Sequence, residues 1–160
     1  MKHKSKRRIV REKVMQVLFA NEMNKDSLQL QINEILNDIE GGPDRDFAND
    51  LIKNVLEHVE DFDSMIKTRV ANWEMNRIAL IDRILLRMGI CELLYFSDIP
   101  PKVSINEAIE ISKEYSTAGS AKFINGILDA ILSDEKKSGR LNKKGRGLVE
   151  ESISKSPEAK

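Results

Sequence analysis

From Ile78 to Phe96 the chain places apolar residues on nearly every side of a helix: Ile81, Ile84, Leu85, Met88, Leu93 and Leu94 form one broad face, and Leu80, Leu86 and Ile90 fill other sides. A helix apolar around most of its circumference belongs in a protein centre, enclosed by other elements. The rest of the chain supplies further helical stripes to enclose it. Val10, Val14, Val17 and Leu18 recur at helical spacing from about Lys6 to Met23. Leu28, Ile32, Ile35, Leu36 and Ile39 do so from a cap at Ser27 to about Glu40, where Gly41-Gly42-Pro43 stops the helix. Asp44 is the expected cap of a third helix with Phe47, Leu51, Val55 and Leu56 inward, and a fourth from about Asp61 carries Phe62, Met65, Ile66 and Val70. After Ile99-Pro100-Pro101, the run Ser104 to Glu107 has the capping-box pattern and opens a sixth helix to about Ser116. Ser120 is the expected cap of a seventh, ending near Leu132, with Phe123, Ile124, Ile127, Leu128 and Ile131 inward. Only 8 glycines and 4 prolines in 160 residues disfavour a turn-rich sandwich or barrel. The expected class is all-α, one domain over residues 1–133, followed over 134–160 by a basic, polar tail whose composition does not cover its ordering entropy.

Lysine plus arginine, 26, equals aspartate plus glutamate, 26, so affinity for nucleic acid has to come from local clustering. Residues 1–13 contain Lys2, Lys4, Lys6, Arg7, Arg8, Arg11 and Lys13 against the single acid Glu12, and a second basic cluster runs from Lys136 to Arg146. The lone Cys91 excludes an intramolecular disulfide, and His3 and His58 lie far apart, so no metal or other cofactor is expected. No apolar run reaches the ~18–20 residues of a membrane span, and the basic N-terminus leads into charged residues instead of a signal-peptide core. A reducing, cytoplasmic setting without membrane contact is the expectation.

Three features can carry function. With about 100° per residue and Val10 at zero, Val14, Val17 and Leu18 fall within about 80°, whereas Arg8, Glu12, Met15 and Phe19 fall about 140–200° away. Phe19 then shares a face with Arg8 opposite the core stripe, and an aromatic ring beside cations is what single-stranded RNA needs: phosphates meet the charges and a base stacks on the ring. The plainer alternatives are a frayed, solvated terminus and a helix buried on two sides. The turn Thr117-Ala118-Gly119-Ser120-Ala121-Lys122-Phe123 opens a helix whose free amides and Lys122 can hold a phosphate, or it is an ordinary cap with Phe123 in the core. Asp82, Arg83, Arg87 and Glu92 should mark the open strip of the central helix, as internal ion pairs or as contacts to another protein. There is no Gly-rich phosphate loop, H-E-x-x-H, G-x-S-x-G or paired-cysteine motif, so nothing supports catalysis.

Three blocks together carry a resemblance: Arg7-Arg8-Ile9-Val10-Arg11-Glu12 with Gln16-Val17-Leu18-Phe19, Ile84-Leu85-Leu86-Arg87-Met88 with Glu92-Leu93, and Val103-Ser104-Ile105-Asn106-Glu107-Ala108-Ile109 with Lys122-Phe123-Ile124-Asn125-Gly126-Ile127-Leu128-Asp129. Over about residues 5–132 the chain resembles the NusB transcription antitermination factors. The resemblance implies seven helices in two small antiparallel bundles sharing the central apolar helix. It also implies binding of the boxA element of leader RNA together with the small-subunit ribosomal protein that acts as NusE. Other Nus factors and RNA polymerase are then indirect partners, and readthrough in ribosomal RNA operons is the outcome.

Carried over by position, the arm (Lys4, Lys6, Arg7, Arg8 and Arg11), Phe19, Ser120, Lys122 and Phe123 are the RNA-binding candidates, and Asp82, Arg83 and Arg87 the protein-partner candidates. Ile9 stands where some members have a third consecutive basic residue, and Ala118-Gly119 replaces an acidic stretch seen in others. The competing reading is a helical protein-interaction module with an incidental basic arm. A third is the RNA-binding appendage of a ribosomal RNA methyltransferase, for which 160 residues leave no room for a cofactor-binding domain. Whether the free protein is a monomer or a homodimer is left open.

Overall fold

The computed structural model describes residues 3–71 and 75–149. Seven α-helices have both ends among them: α1 (Lys6–Met23), α2 (Leu28–Ile35), α3 (Pro43–Glu57), α4 (Val59–Lys67), α5 (Leu80–Tyr95), α6 (Pro101–Tyr115) and α7 (Ala118–Ser138). Single 3-10 turns lie at Lys25–Ser27 and Gly145–Leu148, and the described residues contain no strand. The apolar α5 is the hub: it packs against α1, α3, α4, α6 and α7, so that α1–α3 gather on one part of it and α6–α7 on another. Ile84, Leu85, Leu86, Ile90 and Leu93 are fully enclosed. Gly89 admits α7 closely, since a Cβ there would stand 2.8 Å from Cδ1 of Leu128. No helix among the described residues is long and apolar enough to cross a membrane.

Helix α1 departs from a one-faced surface helix. Val10, Val14, Val17 and Leu18 are buried as the stripe requires, but Arg11, Glu12 and Met15 are buried too. The helix lies against α2 and α3 on one side and against α5 and α6 on the other, so the face opposite the stripe is covered. Its open strip runs instead through Ile9, Gln16 and Met23. Phe19, placed by the wheel on a free face with Arg8, is half-buried and packs on the core.

Several helix ends differ from the sequence reading because tertiary groups do the capping. α2 stops at Ile35, well before Gly41-Gly42: Arg45 of α3 donates to the Leu36 and Ile39 carbonyls at 2.7 and 3.2 Å, and Lys13 of α1 donates to the Ile35 carbonyl at 3.2 Å. α3 begins at Pro43, with Asp44 inside its first turn instead of capping it; proline suits the first helical position, whose amide is unpaired in any case. For the same reason α6 begins at Pro101, which puts Ser104 and Glu107 inside the helix and dissolves the expected capping box. In α7 the cap is Thr117, whose hydroxyl accepts from the Ser120 amide at 3.2 Å.

The last helix does not end near Leu132 but runs to Ser138, closed by Gly139 at φ 75°, a left-handed position that suits glycine. Residues 139–149 then fold back onto the end of α5. The Lys143 ammonium donates to the Glu92 and Phe96 carbonyls at 3.0 and 2.7 Å, and the Lys144 amide donates to the Ser97 carbonyl at 2.9 Å. Gly147 lies so close to the Ser97 carbonyl that a side chain would collide with it. The expected tail therefore holds a docked strap up to Val149; capping a buried helix end offsets the ordering entropy that its composition alone could not. The rest of that tail, 150–160, and Lys2 of the arm lie outside the described residues.

Candidate nucleic-acid interface

Ser5 caps α1, its hydroxyl accepting from the Arg8 amide at 3.1 Å, and this fixes the direction of the basic residues that follow. Each of them but one meets an acid. Lys4 reaches Glu12 at 2.9 Å and Glu114 at 2.7 Å, and those hydrogen bonds hold its pKa well above the usual lysine range. Arg7 pairs with Asp44 at 3.0 Å while its guanidinium lies over the Phe47 ring at 4.3 Å. Arg8 forms a two-pronged pair with Glu107 at 2.8 and 3.1 Å, a bond that raises its pKa despite partial burial. Lys13 pairs with Asp38 at 2.9 Å. Lys6 alone is exposed with no ion pair among the described residues.

Arg11 is the most deeply placed of these residues. Its guanidinium meets Glu92 of α5 through two bonds of 2.9 and 2.7 Å, with side-chain exposures of 4% and 2%. Burial works against the charge of Arg11, but Glu92 outweighs it by charge and hydrogen bonding and leaves the pKa raised. Ser104 adds a third bond to the same carboxylate at 3.0 Å. A buried ion pair of this kind holds only with such complete hydrogen bonding, and removing one partner strands the other. Arg11 is thus a strut between α1 and α5 and offers no surface to a ligand.

The start of α7 is built differently. Ser120 is buried; its hydroxyl donates to Asp82 at 2.6 Å and lies 2.9 Å from the Ser116 hydroxyl and 3.0 Å from that of Thr117. Lys122, two residues on, is exposed with no ion pair among the described residues, and Phe123 is half-buried against the core. Because Lys4 bonds Glu114, near the end of α6, the arm and the α7 start border the same end of the molecule. The geometry therefore leaves Lys6 and Lys122 as free, accessible cations, leaves Lys4, Arg7 and Arg8 reachable but engaged, and removes Arg11 and Ser120 from the surface.

The charges of α5 do not mark an open strip. Asp82 is buried under Ser120, and Arg87 is buried in a two-pronged pair with Asp63, both bonds 2.8 Å, with Glu22 at 3.7 Å. Arg83 is half-buried, and its Nε lacks a hydrogen-bond partner among the described residues, as does Oδ1 of Asp82. Of the internal-pair and partner-contact alternatives, Arg87 and Glu92 take the first. Sequence reasoning missed the acids that neutralise the arm, Asp44, Glu107 and Glu114, because each comes from another helix. Glu92 did carry a signal, as a charge inside the most apolar helix.

Cys91 is enclosed, and burial pushes its thiol far up from its ordinary range, Glu92 adding to the effect. No group of three or more His, Cys, Asp or Glu among the described residues could hold a metal ion.

A model of the NusB family matches residues 8–133, the span that contains most of α1, all of α2 to α6 and most of α7. The chain belongs to the NusB family. A transcription antitermination protein NusB from Salinibacter ruber is 48% identical over 147 residues, covering 91% of this chain and 92% of the relative. T. maritima NusB superimposes with a TM-score of 0.75 at 38% identity, over 82% of this chain and 94% of the other. A chain in the crystal structure of antitermination factors NusB and NusE in complex with dsRNA gives a TM-score of 0.72 at 23% identity, over 80% and 96%, and speaks for the NusB fold alone.

Proposed function

We propose that this chain is a transcription antitermination factor that binds boxA-type single-stranded leader RNA together with the small-subunit ribosomal protein acting as NusE. Through other Nus factors and RNA polymerase it promotes readthrough in ribosomal RNA operons, working in the cytoplasm by binding and not by catalysis. The observation that carries this reading is the 48% identity to a transcription antitermination protein NusB over nearly the whole of both chains. The crystal structure of NusB and NusE in complex with dsRNA holds, for that protein, the same two classes of partner.

In this reading Lys6 and Lys122 make the first phosphate contacts, since neither has to leave an acid. Lys4, Arg7 and Arg8 join as phosphates displace Glu114, Asp44 and Glu107, and Phe19 and Phe123 offer ring edges to unstacked bases. Arg11 and Ser120 support the track from beneath. Arg83 is the α5 charge left to meet the ribosomal protein directly, while Asp82 and Arg87 hold that face through Ser120 and Asp63.

The test is a fluorescence-anisotropy titration of a labelled boxA-like single strand, a scrambled strand and a duplex, each with and without the ribosomal protein. Tighter binding of the boxA-like strand when the partner is present supports the reading. Equal, weak binding of all three with or without the partner leaves the protein-interaction module in its place.

A further inference from the structure

An open groove of about 620 Å³ lies far along α1 from the basic arm, where the last turns of α1 meet the junction of α3 and α4. Glu22, Glu57, Glu60 and Asp61 line it against the single cation Lys25. Glu57, Glu60 and Asp61 have no ion pair among the described residues, and Glu22 has only the 3.7 Å approach of Arg87.

Helix position makes this arrangement costly if it is idle. Glu57 is the final residue of α3, and Glu22 lies in the last turn of α1, which carries no basic residue. A carboxylate at the negative end of a helix macrodipole is unfavourable, and here two such ends open on one groove. Glu60 and Asp61 have an ordinary role at the start of α4, where they balance its positive end. That role accounts for neither Glu57 nor Glu22.

A second observation points to a ligand. Asn21 also lines the groove; the residue is only 9% exposed, its side chain makes no hydrogen bond among the described residues, and its amide atoms are open to the groove. Its carbonyl oxygen, held in place by the burial of the rest of the residue, is suited to accept from a cation entering between the carboxylates. His58, on the groove wall, is held face to face on Tyr95, centroids 4.4 Å apart and planes within 11°, which fixes its ring. A planar guanidinium matches carboxylates, an amide oxygen and a ring face together; a compact ammonium matches them less well.

We propose that this groove receives an arginine-bearing segment of a basic partner protein. The site lies apart from the RNA track and does not depend on it. Its charge repels nucleic acid, so one molecule can hold RNA at one end of α1 and a basic protein at the other. The ribosomal protein of the proposed function is one protein of that chemistry.

The test uses a fluorescein-labelled hexa-arginine peptide and the full chain, with hexalysine as the comparison. Saturable binding of hexa-arginine is expected. The triple variant Glu57→Gln, Glu60→Gln, Asp61→Asn, all at exposed positions, should weaken it about tenfold. Glu107→Gln, at the other end, should leave it unchanged. Binding by the triple variant as tight as by the unaltered chain overturns the proposal. So does hexalysine binding equal to hexa-arginine.

Discussion

The starts of α1 and α7 border the same end of the molecule and look alike in sequence, each a capped turn with basic residues, yet they differ in what their charge is free to do. At α1, Lys4, Arg7, Arg8 and Arg11 each meet a carboxylate from elsewhere in the fold, and Arg11 is buried with Glu92. At α7, a buried carboxylate, Asp82, is spent on the Ser120 hydroxyl, and Lys122 stands exposed above it. The first arrangement joins helices; the second supports a cation for use. A dense run of arginines in sequence thus overstates the positive charge available to a polyanion, because the neutralising acids arrive only with the tertiary structure.

The largest expected effect breaks the comparison at its structural side. Glu92→Ala strands the Arg11 guanidinium in the core and should cost about 3–5 kcal/mol in urea unfolding, whereas Arg11→Met with Glu92→Leu should come close to the unaltered stability. An equal loss in the single and the double variant would mean that the pair itself, not the stranded charge, sets the cost.

Lys122→Ala and Lys6→Ala act on the other side. Each should weaken binding of the boxA-like strand by about 1 kcal/mol and reduce the log–log salt slope by about 0.7, the single-strand value per phosphate, with no change in the unfolding midpoint. Glu107→Gln sharpens the middle ground: releasing Arg8 from its acid should tighten RNA binding a few-fold and steepen the salt dependence, and an unaltered slope would remove Arg8 from the track.

The smallest effect concerns the strap. Burial pushes the Lys143 ammonium down to about 8, against the opposing pull of Glu92 and Asp98. Between pH 8 and the ordinary lysine range the unfolded chain binds the extra proton, so this group's contribution to stability is smallest below pH 8 and grows as pH rises above it. A rise in urea midpoint from pH 8 to 10 that Lys143→Met flattens is the expected result; a rise of the same size in the variant would assign it to another group.

The helices were legible because their signal is local. The stripe of α1 and the all-round apolarity of α5 depend on spacing alone, and the bounds of α1 follow from it. What was not legible depended on distant groups. The end of α2 is set by Arg45 and Lys13, neither of which belongs to it. Ser104 and Glu107 match a capping box in sequence, but a proline three residues earlier starts the helix, and both side chains turn to Glu92 and Arg8 instead. The docking of residues 139–149 rests on Lys143 and Gly147, whose only signal was membership of a polar tail. For the RNA track, the positions of the cations could be read and their engagement could not.

The measurement that bears most directly on the division between the two helix starts is the salt dependence of boxA-like RNA binding by three proteins: the unaltered chain, Lys6→Ala/Lys122→Ala, and Arg11→Met/Glu92→Leu. The account predicts that the log–log slope falls by about 0.7 for each lysine removed and is unchanged when the buried pair is replaced. A slope that falls with the buried pair and holds when both lysines are gone would contradict it.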